Sequence, residues 1–293
     1  MNVKIPVGRT IEGAYGFAIS NFLNILGIAW FPIVAATAVL VGLGVAMMPT
    51  LRPILSGTPD MGAIGPIIGL GFLFVILLIV IFSMIQVGIL RQALHKHEGP
   101  VFFYFSLGAP VWRLIGATFL VGIVIWLIGL ALVAIGFIVW NVAGNMTQPG
   151  AGWVRGIAIF VEACAFFYIV VRLSFLLPAV VVAEDSIGIG RSWELSSGSF
   201  WRIFVIFLAC HLPLGIVAAV VGLILTGGQM NPHIEPGMTP QQMFQAYMVA
   251  SQAGGIIYLV FRILIQIASA GLSAGSQATA YLAVTEKRDA EFA

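Results

Sequence analysis

The chain has 293 residues, of which 60% are hydrophobic and only 8% are charged. Soluble globular domains are about 45–50% apolar and about 25% charged, so this chain has too few charges to cover a water-facing surface. Its net charge is +2, and the basic residues occur singly or in pairs. This pattern excludes a nucleic-acid-binding surface, and it falls short of the runs of about four to eight cations that mark anionic-lipid binding.

Six long apolar runs follow one another along the chain, and each is long enough to cross a bilayer. We predict helices, because a bilayer offers the backbone no hydrogen-bond partners and the runs lack the alternation of β-barrel strands. The first run is longer than a signal-peptide core and has no convincing cleavage site, which predicts a retained span. The predicted spans cover residues of about 20–48, 66–94, 113–141, 155–183, 201–226 and 254–284.

The orientation follows from lysine and arginine, which are enriched on the cytoplasmic side of membrane proteins. Of the 13 cations, nine flank the spans on one side, two flank them on the other, and Arg172 and Arg262 lie within spans. Both termini are therefore predicted to be cytoplasmic, as an even number of spans also requires. The cytoplasmic set is Lys4, Arg9, Arg91, Lys96, Arg113, Arg191, Arg202, Lys287 and Arg288, and the external set is Arg52 and Arg155.

The chain also repeats itself. Residues 168–173 recur in similar form at 258–263, and residues 111–114 recur at 200–203. Repeats at such a spacing indicate one supersecondary unit stacked on itself, here a helical hairpin used three times in parallel. Coincidence is the alternative, because apolar helices resemble one another in composition. The predicted fold class is all-α: a single transmembrane domain over 1–293, a polytopic bundle of six transmembrane helices built from three helical hairpins, with short interfacial helices.

The cytoplasmic loops 95–112 and 184–200 are rich in aromatic residues and glycine, and each leads into a Trp-Arg pair. Tryptophan favours the headgroup layer, and a neighbouring arginine can reach phosphate. We predict an interfacial helix near 186–197 with Ile187, Trp193 and Leu195 facing the membrane. An external amphipathic helix is predicted over 240–253. The candidate lipid-headgroup residues are Trp112, Arg113, Arg191, Trp193, Trp201 and Arg202.

A further pattern begins late in the fourth span. Its elements are, in order, Arg172, Pro178-Ala179, Glu184-Asp185, Arg191-Ser192-Trp193 and Trp201-Arg202. This pattern resembles a poorly characterised family of six-span bacterial inner-membrane proteins, related to the membrane domain of some glycerophosphodiester phosphodiesterases. The resemblance implies six helices in a bacterial inner membrane and a lipid or cell-envelope setting. It implies no catalytic residue, because the hydrolase domain of the fused members has no counterpart here.

Ionisable side chains at membrane depth are costly and are candidates for function. Four fall within predicted spans: Glu162, Arg172, His211 and Arg262. We predict that Glu162 and Arg262 pair across spans and line a cavity, with polar fastening of helices as the alternative. Snorkelling of Arg172 to the inner headgroups is the alternative to a ligand role for that residue. For His211, the alternative is a hydrogen bond between helices or a position at the membrane interface.

Span six carries polar side chains at intervals of three and four residues, which places them on one helix face. This stripe predicts either the lining of a polar path or structural contacts between helices. Gly271 and Gly275 form a G-x-x-x-G pair on an adjoining face, suited to close helix packing. Gly122, Gly129 and Gly136 leave a groove in span three for a neighbouring helix or a second copy of the chain. The stripe consists of Tyr258, Arg262, Gln266, Ser269, Ser273 and Ser276.

Motifs of known enzymes are absent from the sequence, so we expect no catalytic activity, no cofactor and no metal site. Alternating histidines at 95 and 97 are typical of a solvated loop rather than a metal site. Glu184-Asp185 is interpreted as the start of a helix. Cys164 and Cys210 lie in apolar runs and are expected to be buried packing residues without a disulfide.

Two functions remain open from the sequence. The first is a non-catalytic membrane protein that binds lipid or a partner protein in the bacterial cell envelope. The alternative is a transporter or channel for a small polar solute, lined by the stripe of span six. The predicted partners are membrane lipids, with a second copy of the chain or another membrane protein as a further partner.

Overall fold

The computed structural model describes residues 4–55, 64–96, 104–144, 151–227 and 255–292, together with residues 238, 242 and 246. Over these residues the chain is helical, with short connections. In chain order the helices are α1 (Val7–Ser20), α2 (Phe22–Leu55), α3 (Ile64–Ala93), α4 (Ala109–Gly144), α5 (Ala151–Ser174), α6 (Leu177–Glu184), α7 (Ile189–Leu195), α8 (Phe200–Thr226) and α9 (Gly255–Phe292).

Six segments are long and apolar enough to cross a membrane, which confirms the all-α membrane fold class. They correspond one to one with the six predicted spans, and five of them are single helices. Helices adjacent in sequence pack as pairs, α2 with α3, α4 with α5, and α8 with α9. These pairs are the three predicted hairpins, whereas their mutual superposition stays a prediction. The segments are Phe22–Val39, Ile68–Ala93, Ala109–Val139, Gly156–Glu184, Phe200–Thr226 and Gly255–Glu286.

The fourth span is interrupted, so the prediction of one continuous helix over 155–183 is wrong. Helix α5 ends at Ser174, and α6 begins at Leu177 with Pro178 in its first turn. Proline has no N–H, and its ring clashes with the carbonyl group four residues earlier, here that of Ser174. Because α6 is apolar on every side, the break allows it to be buried on every side, from Leu177 to Val182.

The N-terminal segment forms a helix of its own, α1, ahead of the first predicted span. It packs against α9 and α8. The contact with α9 uses the predicted G-x-x-x-G pair: a Cβ on Gly275 would lie 3.1 Å from the Cα of Ala14, and one on Gly271 would lie 3.5 Å from the Cβ of Ala18. These glycines therefore serve close helix packing, as predicted.

Helix α7 corresponds to the predicted interfacial helix near 186–197. Three residues of that segment were predicted to face the membrane, and for one of them the prediction is wrong. Ile187 and Trp193 are exposed, whereas Leu195 is buried in the core. The described parts of 95–112 before α4, residues 95–96 and 104–108, are not helical. The predicted helix over 240–253 lies almost entirely outside the described residues.

The buried core lies at one end of the bundle, where α1, α6, α7 and the C-terminal part of α9 meet. The N-terminus and the C-terminal end of α9 share this end, because Arg9 lies 3.6 Å from Glu286. We call it the terminal end. Towards the other end, the long helices carry exposed apolar side chains suited to lipid contact, such as Phe119, Trp126 and Phe137 of α4.

The glycine groove of α4 is filled by α5 side chains at two of its three positions. Glu162 lies against Gly136, where a Cβ would be 2.7 Å from Glu162 Oε2, and Phe166 lies against Gly129. A Cβ on Gly122 would meet no atom within 4 Å. Most of this groove is therefore used for packing within the chain.

Candidate functional site

Helix α6 is held at its C-terminal end by a lysine from another segment. Lys96, just after α3, donates from Nζ to the carbonyl oxygens of Val182 and Ala183 at 2.9 and 2.7 Å. The last carbonyl groups of a helix have no partner within it and carry partial negative charge, so a cation there is favourable. This contact joins α3 to α6 at the terminal end.

Acidic residues at the end of α6 connect three other helices. Glu184 Oε1 accepts hydrogen bonds from Arg191 Nε at 3.2 Å and from the hydroxyl group of Tyr281 at 3.1 Å. Asp185 ends α6 in the left-handed conformation (φ 52°) and pairs with Arg113 at 2.9 Å. The interpretation of Glu184-Asp185 as a helix start is therefore wrong, because Pro178 had already begun the helix upstream.

Arg191 remains charged in this cluster. Its partial burial opposes the charged form, but hydrogen bonds and attraction from Glu184 and Glu194 outweigh that cost and raise the pKa of Arg191 above its ordinary value. The cluster is therefore a set of ion pairs that fasten α7 to α6, rather than a proton-exchanging site.

Arg172 is buried, with 7% of its surface exposed, so it does not snorkel to the headgroups. It donates from NH1 to the hydroxyl group of Tyr168 and from NH2 to the carbonyl group of Trp193, both at 3.0 Å. Its guanidinium carbon lies 3.7 Å from the centroid of the Trp193 ring. The Trp193 ring therefore stacks on this cation, and Arg172 fastens α5 to α7.

In each Trp-Arg pair the tryptophan is exposed, whereas the arginine bonds to another part of the protein. Trp112 and Trp201 are 56% and 72% exposed, in keeping with a position in the headgroup layer. Their arginine neighbours instead bond to protein: Arg113 to Asp185, and Arg202 to the carbonyl oxygen of Ile5 at 2.9 Å. Of the six predicted headgroup residues, the tryptophans keep exposed surface while the arginines carry structural contacts.

A groove of about 680 Å³ runs between α5 and α8 at the terminal end. Lys4 and Arg202 supply its positive charge, and neither forms an ion pair with a described carboxylate. The rest of the lining is mostly aromatic. The other lining residues are Cys164, Phe167, Tyr168, Gly198, Phe200, Trp201 and Phe204.

The polar stripe of the last span borders two cavities. Arg262, Gln266 and Ser273 line a cavity of about 420 Å³ between α9, α2 and α3. Ser273 and Ser276 line another of about 290 Å³ between α9, α5 and α8. Ser276 is buried, while Arg262 and Gln266, which line the first cavity, are exposed. The stripe thus faces cavities within the bundle over most of its length.

The cavity of about 290 Å³ is also lined by a buried polar residue, Gln277, that was not predicted from the sequence. Gln277 is 93% buried and donates to Ser273 Oγ at 3.4 Å, and its Oε1 has no hydrogen-bond partner among the described residues. His211 lies in the same lining, stacked on Phe207 with its Nδ1 3.1 Å from the Phe207 carbonyl oxygen. His211 therefore bonds within its own helix, and it forms no hydrogen bond with another described helix.

The predicted ion pair between Glu162 and Arg262 is not formed. Among the described residues Glu162 lies against Gly136 of α4, whereas Arg262 lines a cavity with α2 and α3. The error came from depth alone: similar distance from the membrane surface does not specify which neighbour each helix face meets.

The two cysteines are free, and they differ in environment. Cys210 is buried as expected, but Cys164 is exposed and lines the α5–α8 groove. Within the described parts of the chain, no three His, Cys, Asp or Glu side chains are grouped so as to hold a metal ion.

Three polar residues at the terminal end were missed from the sequence, Lys96, Gln277 and Tyr281. Gln277 and Tyr281 continue the stripe from Ser273 at intervals of four residues, so a longer reading of the same periodicity would have found both. Lys96 carries no such signal, because its partners belong to a helix 86 residues further on.

Comparisons of the chain with models of protein families, with curated proteins and with solved structures found no match. The resemblance to six-span bacterial inner-membrane proteins therefore stays a prediction.

Proposed function

We propose that this chain is a non-catalytic integral membrane protein of a bacterial inner membrane that binds an anionic lipid in the α5–α8 groove. One observation carries the proposal: Lys4 and Arg202 line a groove whose remaining walls are largely aromatic, beside the exposed Trp201. Both termini lie on the cytoplasmic side in this proposal, where anionic lipids attract cations.

The chemistry of the groove suits a lipid phosphate. Lys4 is exposed and has no ion pair with a described residue, so its ammonium group is available. Arg202 uses one N–H for the carbonyl oxygen of Ile5, and a guanidinium group has five. Phe167 and Phe204, whose ring centroids lie 5.8 Å apart, offer an apolar wall to an acyl chain.

The test is local quenching of Trp201 by brominated lipids. The signal of Trp201 is the difference between the wild type and Trp201→Phe, measured in bilayers with brominated phosphatidylglycerol or brominated phosphatidylcholine. We expect stronger quenching by phosphatidylglycerol, and Lys4→Gln should reduce this preference about fivefold, since a cation near an anionic surface contributes about 1 kcal/mol. Equal quenching by both lipids in the wild type would contradict the proposal.

Arg9→Gln is the matched control. It removes the same charge from the same N-terminal region, but Arg9 lies outside the groove lining and pairs with Glu286. The lipid preference should therefore survive Arg9→Gln. Equal losses in both variants would indicate a general surface-charge effect in place of a groove.

The second candidate is passage of a small polar solute along α9, which is favoured by the position of Ser273 in the lining of both cavities. In a chain freed of its two cysteines, Gln266→Cys and Ser276→Cys should then react with a hydrophilic thiol reagent. Leu264→Cys, on the exposed apolar face of the same helix, is the control and should not react. An unreactive cysteine at 276 would exclude a water path.

A further inference from the structure

The cavity between α2, α3 and α9 differs from the α5–α8 groove in its helices and in its lining. Its inner end is closed by apolar side chains that are almost fully buried: Ala29, Ile89 and Ala274. Its other end is an exposed rim that includes Thr37, Leu259 and Arg262. The cavity is therefore an apolar slot with a cation at its mouth.

Arg262 has no partner for its charge among the described residues. It forms neither an ion pair nor a hydrogen bond with them, in contrast to the buried Arg172. It lies seven residues into α9, about 10 Å along the helix axis, within a membrane-spanning segment. A cation at that depth needs an anion or water, because the apolar surroundings do not solvate it.

The dimensions of the slot select a narrow occupant. From Arg262 to Ala274 the lining extends over 12 residues of α9, or about 18 Å. The slot has a volume of about 420 Å³. An apolar cavity of about 150 Å³ holds one benzene molecule, so the slot accommodates roughly 17 carbon atoms. Over that length this volume matches one hydrocarbon chain.

We propose that this slot binds a single-chain amphiphile with an anionic head, a carboxylate or a phosphate. The head pairs with Arg262, and the chain extends along α9 towards Ala29, Ile89 and Ala274. Gln266, one turn further along α9, also lines the slot and supplies amide N–H donors for a remaining head oxygen. This site is separate from the lipid groove and does not depend on it.

The experiment measures binding of radiolabelled probes to the full chain in phosphatidylcholine nanodiscs at pH 8.5. The probes are laurate, dodecyl phosphate and the uncharged dodecanol. Saturable binding of either anion supports the site, and the tighter of the two identifies the head as carboxylate or phosphate. Arg262→Gln should weaken anion binding about tenfold or more and leave dodecanol binding unchanged, whereas Arg262→Lys should keep most of the affinity.

A second variant tests the slot independently of the charge. Ala270→Phe places a ring in the lining and should abolish binding of all three probes, while Leu264→Phe on the lipid-facing side of α9 should not. The proposal is overturned if neither anion binds saturably, if Arg262→Gln binds both anions like the wild type, or if Ala270→Phe retains full binding.

Discussion

Tyr15 of α1 bonds to α8 at a carbonyl group that lacks its helical hydrogen bond. Its hydroxyl group donates to the carbonyl oxygen of Ala209 at 2.9 Å. Pro213 lies four residues later in α8, and it has no N–H to offer that carbonyl group. The hydrogen bond from α1 therefore satisfies an acceptor that the proline leaves without a helical partner.

This geometry predicts a coupling between two distant positions. Tyr15→Phe should lower the free energy of unfolding by about 1–3 kcal/mol, because a part-buried carbonyl group loses its donor. In a Pro213→Ala background the same change should cost much less, since the N–H of the new alanine completes the helical bond. Thermal unfolding of the four variants in detergent measures this cycle, and equal costs in both backgrounds would sink the explanation.

The same tyrosine gives a pH dependence. Burial, with a smaller contribution from Cys210, raises the pKa of Tyr15 above 10.0. The folded state therefore prefers the neutral hydroxyl group. The stabilisation is complete below pH 10.0 and is lost as the pH rises through the folded-state pKa. Alkaline unfolding of the wild type should accordingly be steeper than that of Tyr15→Phe, and parallel curves would contradict this account.

At the scale of whole elements, the close contact of α1 with α9 depends on glycine. Gly275→Leu would drive a side chain into the backbone of α1 at Ala14 and should destabilise the protein by about 1–3 kcal/mol. We expect α1 to detach, which limited proteolysis after Ser20 would detect. Gly16→Leu is the control, because a Cβ at Gly16 meets nothing within 4 Å. Proteolysis at equal rates in both variants would argue against a docked α1.

The break between α5 and α6 shows how one residue divides an element. Hydropathy predicted a single helix because residues 155–183 are mostly apolar. Pro178 stops that helix, and the freed segment turns into the core while Lys96 binds its carbonyl groups. Pro213 lies inside α8, and this helix continues past it without a break. The different outcome at the two prolines depends on tertiary neighbours, and periodicity contains no information about them.

For the molecule as a whole, the orientation prediction remains to be tested. In a chain without Cys164 and Cys210, cysteines introduced at 57 and 235 should react with an impermeant reagent added to intact cells, and one at 288 should react only after lysis. The reason is the excess of lysine and arginine at the terminal end. Labelling of position 288 in intact cells would reverse the orientation.

The sequence alone determined the number of spans, their approximate bounds, the hairpin pairs and the face of the polar stripe. All of these follow from local composition and from the helical period, because a bilayer leaves the backbone almost no alternative to a helix. The surface exposure of Trp112 and Trp201 agrees with the same kind of reasoning, since an amphipathic ring prefers the headgroup layer whatever its neighbours.

Only the tertiary structure decided which charges meet. Arg113 forms an ion pair with Asp185, and Arg172 donates a hydrogen bond to Trp193. Arg262 lines a cavity and does not pair with Glu162. Each outcome depends on how one helix is rotated about its axis relative to another. Successive residues of a helix point about 100° apart, so a shift of one residue turns a side chain towards a different neighbour. Composition and period specify which residues share a face, whereas packing of the whole bundle specifies what that face touches.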